Sequence, residues 1–243
     1  MIDFHTHILP GIDDGSKNSD MSLAMLREEA AQGTDTVCAT PHFYADRMAV
    51  DQFLSRRDGA LERLRSKMPD PKEELPDIIP GAEVYYFRGI GSAKALPKLT
   101  LKGTNTLLLE MPFMAWDKKT VEDVKGLLYD QGLTVVLAHV ERYVEFQKDR
   151  SVWEEIFSLP VIPQINAGSF IEKKRLLRRD RTFAFCMEFA RSAPKLILGS
   201  DCHNTETRRP NLKEGRDALS AALGEGILKT VDETTNKVCH PVR

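Results

Sequence analysis

The chain has 243 residues, of which 42% are hydrophobic, and its formal net charge at pH 7 is −2. A chain of this size can bury a substantial core, and single α/β barrels commonly have this length. The small charge of mixed sign argues against a general binder of polyanions. No apolar stretch approaches the length of a membrane span, and no signal-peptide pattern opens the chain. Four scattered cysteines without a Cys-x-x-Cys motif predict a reduced, cytoplasmic protein.

Strand-like and helix-like segments alternate along the chain. Short apolar runs rich in β-branched residues predict seven strands, near 2–6, 36–40, 78–85, 106–110, 134–138, 161–165 and 195–199. Several runs are almost wholly apolar, which is typical of parallel strands that are buried on both faces. The absence of repeats and of a long linker favours a single α/β barrel domain over residues 1–243 rather than two domains.

Helices are predicted in the segments between these strands, at 20–32, 50–68, 121–131, 143–158, 173–191 and 211–223. The first of them is expected to take Ser19 or Asp20 as its N-cap and to end before Gly33. The helix 121–131 is expected to open with Thr120 and to end before Gly132.

His5 and His7 form a His-x-His pattern at the end of the first predicted strand. Because successive side chains of a strand point to opposite faces, both imidazoles project to the same side. Two neutral imidazoles that converge at a strand end suit a divalent metal. On its own the pattern is weak, since histidines also occupy surfaces and cores.

Further histidines and acidic residues lie at or just beyond the carboxyl ends of the other predicted strands. They are His42, Glu83, Glu110, His139, Asp201 and His203, with Asp13 and Asp14 in the first loop. This is the face on which barrel enzymes place their chemistry, and five of the six histidines reach it. The sixth, His240, is expected at the surface near the C-terminus. Nitrogen and carboxylate oxygen without thiolate favour Mn²⁺, Fe or Zn²⁺, and clustered cations of this kind can activate a water to attack a phosphoryl group.

The same segments carry a resemblance to a known family. The motifs are His5-Thr6-His7, Asp13-Asp14-Gly15, Thr40-Pro41-His42, Gly81-Ala82-Glu83, Leu109-Glu110, 138–143 and 200–204. Together they resemble the polymerase-and-histidinol-phosphatase (PHP) superfamily, and within it the bacterial protein-tyrosine phosphatases encoded with capsule and exopolysaccharide genes. The likeness extends from Met1 to about Leu228.

The resemblance implies a distorted, TIM-like (β/α)₇ barrel with three divalent metal ions, usually manganese for activity. It implies one ion held by His5, His7, Glu83 and Asp201, a second by Glu83, Glu110 and His139, and a third by Asp14, His42 and His203. On sequence grounds Asp13 could take the place of Asp14. The resemblance further implies hydrolysis of phosphotyrosine on a protein, the tail of a bacterial tyrosine autokinase that controls polysaccharide assembly.

Positive groups are needed beside the metals to bind the phosphoryl group. Arg142 lies three residues after His139, and Arg209 lies six after His203, so both are expected to reach the same rim. Arg208 is a weaker candidate. Trp116 and Tyr143 flank the rim motifs and could either stack on a substrate ring or pack in the core.

Other functions fit parts of the same sequence. The site could act on a small phosphomonoester such as histidinol phosphate, or on a nucleic-acid 3′ end, although no basic stripe interleaved with aromatics supports a nuclease. A non-catalytic, metal-stabilised scaffold is a further alternative. The segment from Cys202 to Arg208 formally fits the Cys-x₅-Arg pattern of cysteine-dependent phosphatases, but it contains Glu206 and no glycine to wrap a phosphate. The sequence leaves the oligomeric state open.

Overall fold

The computed structural model describes residues 1–68, 74–171 and 181–240. The strands in these residues are β1 (Ile2–Thr6), β2 (Thr36–Ala39), β3 (His42–Phe43), β4 (Asp77–Pro80), β5 (Glu83–Tyr85), β6 (Thr106–Glu110), β7 (Thr134–Leu137), β8 (Ile162–Asn166) and β9 (Ile197–Gly199). The helices are α1 (Ser19–Ala31), α2 (Val50–Arg65), α3 (Lys118–Lys125), α4 (Ser151–Ser158), α5 (Arg181–Ser192), α6 (Leu212–Leu223) and α7 (Gly226–Cys239). None of the helices in the described ranges is long and apolar enough to cross a membrane.

All strand pairs are parallel, and they form two hydrogen-bonded ladders. The second ladder begins where the first one ends and keeps its register. One ladder has the order β1-β2-β4 and the other β3-β5-β6-β7-β8-β9. Ala39 pairs with Pro80 at the end of the first, and His42 pairs with Glu83 at the start of the second, in the same register. Pro41 lies in the break, where it has no N–H to donate to a ladder. The nine short strands therefore occupy seven positions in one curled sheet.

The two ends of the curled sheet meet beside the last strand. The backbone N–H of Asp201 donates to the carbonyl of His5 at 2.8 Å, and the N–H of His7 donates to the carbonyl of Cys202 at 2.9 Å. These bonds join the end of β1 to the segment that follows β9. The expected TIM-like α/β barrel is thereby confirmed.

Successive side chains along each strand point alternately to the helices and to the inside of the barrel, and this alternation determines which residues form each part of the core. In β6, Leu107 and Leu109 face the helices, whereas Leu108 faces the inside of the barrel with Phe4 and Val136. Val238 of α7 packs against the same interior cluster. The interior is thus filled by side chains at the amino ends of the strands, and the opposite end is left to polar residues.

The structure corrects several predicted boundaries. The predicted strand 78–85 is divided into β4 and β5, so Glu83 begins a strand instead of lying late in one. The helix predicted at 143–158 begins only at Ser151. The N–H of Ser151 donates a hydrogen bond to the side chain of Asp149. Helix α7 had no predicted counterpart. Residues 173–180 of the predicted helix 173–191 lie outside the described residues.

Two predicted helix starts are also wrong by one to three residues. The N-cap of α1 is Asn18, whose side-chain oxygen accepts a hydrogen bond from the N–H of Met21 at 2.9 Å. Helix α3 begins earlier than predicted because Asp117, not Thr120, is its N-cap. The predicted end of α1 is confirmed, since Gly33 has a φ of 83° in the left-handed region.

Candidate metal centre

The histidine and acidic side chains singled out in the sequence converge at the carboxyl end of the curled sheet. The cluster consists of His5, His7, Asp14, His42, Glu83, Glu110, His139, Asp201 and His203. Most of these side chains are buried, whereas Asp14 is exposed and His42 is partly exposed. His240 is exposed and lies outside the cluster, as predicted.

Glu83 lies at the middle of the cluster and uses both carboxylate oxygens. Its Oε2 atom lies 3.2 Å from Nε2 of His5 and 3.3 Å from Nε2 of His7. The same oxygen lies 2.9 Å from Nδ1 of His42. Its Oε1 atom lies 2.9 Å from Nε2 of His139. A carboxylate in this position can bridge two cations.

Asp201 and His139 turn into the cluster from the ends of β9 and β7. Among the described residues they are the two non-glycine positions with positive φ, 54° for Asp201 and 29° for His139. Such conformations are rare for non-glycine residues and concentrate at functional sites. They bring Oδ1 of Asp201 to 3.4 Å from Nε2 of His7. Nε2 of His139 comes to 3.6 Å from Oε1 of Glu110.

Asp14 and Asp13 have different positions, although they are adjacent in sequence. Oδ1 of Asp14 lies 3.5 Å from Nε2 of His42 and 3.4 Å from Nε2 of His203. Asp13 faces the other way and lies 2.7 Å from Nδ1 of His7, while it accepts a hydrogen bond from the N–H of His42. The structure therefore groups Asp14, and not Asp13, with His42 and His203.

The donor atoms fit divalent cations. Three groups of possible ligand atoms lie within 4.8 Å of one another, namely His5-His7-Glu83, His42-Glu83-Glu110 and His7-Asp14-His42-His203. Several of these atoms are buried and, although they lie close to one another, make no hydrogen bond of good geometry: Nδ1 of His42, Oε2 of Glu83, Oε2 of Glu110 and Nε2 of His203. Buried polar atoms are normally paired, and cations bound here would satisfy them.

The electrostatics of the cluster also favour added positive charge. Burial opposes ionisation of Glu83, but the imidazoles of His5, His139 and His42 outweigh it and hold the pKa of Glu83 well below its ordinary value. Burial, together with the charge of Glu83, raises the pKa of Glu110 to about 7. Two carboxylates this close repel each other, and a cation between them would relieve that repulsion.

Two polar residues of β8 hold the cluster in place. Oε1 of Gln164 accepts a hydrogen bond from the N–H of His139 at 2.8 Å and lies 3.1 Å from Nδ1 of His5. Nδ2 of Asn166 donates to Oδ2 of Asp201 at 2.9 Å. The sequence analysis did not single out Gln164; its signal was a polar residue two positions before Asn166 within a buried strand, which places both side chains on one face.

Among the described residues, two arginines reach the cluster from neighbouring loops. Arg142 and Arg208 both donate to Oδ2 of Asp201, at 2.5 Å and 2.8 Å. Both line a groove of about 480 Å³ together with Asp201. Arg209 lies elsewhere: its guanidinium donates to Glu214 at 2.5 Å, and both side chains are about half exposed. The predicted role of Arg142 thus has a fitting position, whereas Arg208 occupies the place expected for Arg209.

Cys202 does not have the environment of a nucleophile. Its side chain is fully buried, and its thiol is directed to Glu29 at 3.9 Å. Burial and the nearby carboxyl of Glu29 raise the pKa of Cys202 well above its ordinary value, which disfavours the thiolate. The Cys-x₅-Arg alternative is therefore not supported.

Comparison with known proteins identifies the family. The family model for capsular polysaccharide synthesis proteins, CpsB/CapC, matches residues 1–238. The chain belongs to the CpsB/CapC family. This CpsB/CapC member is 29% identical over 234 residues to the tyrosine-protein phosphatase YwqE of Bacillus subtilis (strain 168), covering 93% of this chain and 87% of that protein. It is 26% identical to the tyrosine-protein phosphatase CpsB of Streptococcus pneumoniae, covering 92% of this chain and 91% of that protein.

The fold of this CpsB/CapC member also matches a solved structure. The structures described as those of YwqE from Bacillus subtilis and CpsB from Streptococcus pneumoniae, unique metal-dependent tyrosine phosphatases, include a chain that superposes with a TM-score of 0.81. The superposition covers 100% of this chain and 96% of the solved one, at 25% sequence identity. The resemblance seen in the sequence motifs is thus confirmed.

Proposed function

We propose that this CpsB/CapC family member is a metal-dependent protein-tyrosine phosphatase. The observation that carries the proposal is the convergence of five histidines and four carboxylates at one barrel mouth, with Arg142 and Arg208 beside them. The relatives named as tyrosine phosphatases match nearly the whole chain. Because the similarity to named tyrosine phosphatases covers nearly the whole chain, it supports phosphotyrosine rather than histidinol phosphate as the substrate.

Three divalent ions, Mn²⁺ in first place and Fe or Zn²⁺ as alternatives, fit the donor set. We assign the first to His5, His7, Glu83 and Asp201, the second to Glu83, Glu110 and His139, and the third to Asp14, His42 and His203. The central position of Glu83 supports its role as the shared ligand of the first two ions. The position of Asp13 supports a role in orienting His7.

Divalent cations bound at this site would polarise the phosphoryl oxygens and lower the pKa of a water that acts as the nucleophile. The chain itself supplies the binding and orientation of the phosphate. Arg142 and Arg208 each use part of the guanidinium on Asp201, and their remaining N–H groups can donate to phosphoryl oxygens that gain charge in the transition state. A tyrosine phenol, with an ordinary pKa of about 10, leaves without a strong general acid.

We further infer that the substrate is the phosphorylated tail of a bacterial tyrosine autokinase that controls polysaccharide assembly. Such a substrate would place the enzyme in the cytoplasm, in agreement with the cysteine pattern. We also infer one catalytic domain over residues 1–243, because β1 near one end of the chain and α7 near the other contribute Phe4 and Val238 to the same interior cluster.

The test compares three substrates with protein that has been stripped of metal and reconstituted with Mn²⁺. We expect a phosphotyrosine peptide to be hydrolysed faster than histidinol phosphate and than single-stranded DNA, and EDTA to abolish the reaction. Faster turnover of histidinol phosphate would favour the small-molecule alternative. Hydrolysis of none of the three would favour a scaffold.

A matched pair of variants distinguishes loss of the site from loss of the fold. His42→Ala removes a ligand of the proposed third ion and should lose most activity while the far-ultraviolet circular dichroism spectrum is retained. His240→Ala removes the exposed histidine that lies outside the cluster and should keep normal turnover. Normal turnover by His42→Ala would contradict its assignment.

A further inference from the structure

Two large apolar side chains are exposed beside the metal centre. Among the described residues, the exposed large hydrophobic side chains are Phe113, Met114 and Tyr129, with 39%, 60% and 62% of their surface accessible. Phe113 and Met114 are consecutive and follow Glu110, at the end of β6, by only three and four residues. Contiguous apolar surface next to a polar cleft is typical of a binding site.

The loop that carries this pair is held in place by buried partners. The N–H of Met111 donates to the hydroxyl of Tyr143 at 3.0 Å. The side chain of Gln147, which is almost fully buried, accepts from the N–H of Trp116 at 3.0 Å and donates to the carbonyl of Met114 at 2.9 Å. These bonds hold the backbone on both sides of Phe113 and Met114 in the conformation that exposes the two side chains.

The Phe113 ring adjoins a proposed metal ligand. Its centroid lies 6.1 Å from that of His139, with an interplanar angle of only 18°. Tyr143 and Phe146 support it from the side at 5.4 Å and 6.1 Å. Since Nε2 of His139 faces Glu83 in the centre of the cluster, Phe113 lies at the margin of the place where a phosphoryl group would bind.

We infer that Phe113, assisted by Met114, binds the phenyl ring of the phosphotyrosine substrate and thereby determines specificity. This inference rests on the proposed function. A substrate ring whose phosphate lies at the metal centre would extend over the Phe113 ring, where offset aromatic contact is favourable. The polarisable thioether of Met114 can adapt to the edge of the same ring.

The sequence-based candidates for ring stacking have a supporting role instead. Trp116 and Tyr143 are 6% and 0% exposed and pack against each other, and Tyr143 also packs against Phe113. Neither side chain offers a free face to a substrate.

Tyr44 is the alternative aromatic group, on the side of the cluster near His42. Its ring centroid lies 5.4 Å from that of His42. The guanidinium of Arg47 covers the Tyr44 ring at 4.4 Å, and Tyr85 packs against it at 5.6 Å. A cation already bound over this ring makes it less available to a substrate than Phe113.

The experiment measures selectivity, defined as kcat/KM for a phosphotyrosine peptide divided by kcat/KM for β-glycerophosphate, an aliphatic phosphomonoester. Phe113→Ala should lower this ratio roughly threefold to tenfold, mainly through KM of the peptide, and Phe113→Trp should restore most of it. Tyr129→Ala is the matched control because Tyr129 is exposed and aromatic but lines a pocket that contains none of the proposed metal ligands. Its ratio should equal that of the wild type.

An unchanged ratio in Phe113→Ala would overturn this inference alone, provided that the wild type hydrolyses the peptide. A loss of the same size in Tyr44→Ala, with none in Phe113→Ala, would move the ring to the opposite side and overturn it as well. Failure of the wild type to hydrolyse the phosphotyrosine peptide would overturn the proposed function, and this inference with it.

Discussion

Oδ2 of Asp13 lies 2.7 Å from Nδ1 of His7, and this contact turns the other ring nitrogen of His7 towards Glu83 and Asp201. Burial opposes the ionisation of Asp13. The imidazole of His7 and two backbone N–H groups nevertheless lower the pKa of Asp13 to about 2. Asp13 therefore remains a carboxylate that orients and polarises His7, in the manner of the outer partners of metal-bound histidines.

Asp13→Asn should weaken Mn²⁺ binding roughly tenfold to a hundredfold, because the amide orients His7 less firmly and carries no charge. Isothermal titration of the metal-free protein with Mn²⁺ measures this effect. Asp20→Asn, which changes an exposed acid on α1, is the control and should bind Mn²⁺ as the wild type does. Unaltered affinity in Asp13→Asn would show that His7 needs no such partner.

The two consecutive arginines after His203 should differ in their effect on catalysis. Arg208→Ala should lower kcat/KM about a hundredfold, because it removes a donor aimed at the charge of the transition state. Arg209→Ala should cause a loss of less than about threefold, since its guanidinium forms an exposed ion pair with Glu214. Steady-state kinetics on the phosphotyrosine peptide would compare the two. A larger loss in Arg209→Ala would establish Arg209 as the phosphate ligand.

Arg208 reaches Asp201 and Arg209 does not because of the turn that precedes them, and residue spacing alone does not predict the conformation of that turn. Oδ1 of Asn204 accepts hydrogen bonds from the N–H groups of Glu206, Thr207 and Arg208 at 2.8 to 3.1 Å. This side-chain turn sets the direction in which each following residue leaves the loop. A spacing rule can bring both arginines to the rim, but it cannot choose between neighbours.

The strands and the positions of the ligand candidates were predictable for a simple reason. Parallel strands have strong apolar runs, and the residues that follow them must lie at one end of the sheet. The positions of His5, His7 and Asp201 in the cluster follow from that rule. The choice of Asp14 over Asp13 does not, because both lie in a loop whose backbone conformation decides which side chain faces the cluster. The break between β4 and β5 is marked in the sequence by Pro80-Gly81, but the apolar residues on both sides of it were interpreted as one strand.

Cys202 should be dispensable for the reaction. Because its thiol is buried and its pKa is raised, Cys202→Ala should retain kcat/KM within about threefold of the wild type. Iodoacetamide should leave the wild type active, whereas EDTA should inactivate it. The reverse pattern, with inactivation by iodoacetamide and resistance to EDTA, would restore the cysteine mechanism.

Glu29 should make the stability of the protein depend on pH. Its carboxyl is buried, accepts a hydrogen bond from the hydroxyl of Thr34 at 2.8 Å and lies close to the thiol of Cys202. Burial, and then the nearby Asp3 carboxyl, raise the pKa of Glu29 well above its ordinary value of about 4.5. The folded protein therefore keeps a proton that the unfolded chain releases above about pH 4.5. This contribution to stability is complete below that pH and is lost as the pH rises towards the folded-state pKa.

Glu29→Gln keeps an acceptor for Thr34 and removes the titration. Thermal denaturation of the metal-free proteins between pH 5 and 8.5 should show a difference in Tm, variant minus wild type, that grows with pH. Asp3 interacts directly with Glu29, so the difference reports the titration of Glu29 together with any change it causes at Asp3. A difference that is constant or shrinks with rising pH would contradict the raised pKa.

The central claim is that side chains from the ends of distant strands meet around divalent cations. Anomalous scattering from crystals grown with Mn²⁺ tests it most directly. We expect strong anomalous peaks among His5, His7, Glu83 and Asp201, among Glu83, Glu110 and His139, and among Asp14, His42 and His203. A map with no peak between His5, Glu83 and Asp201 would contradict the account.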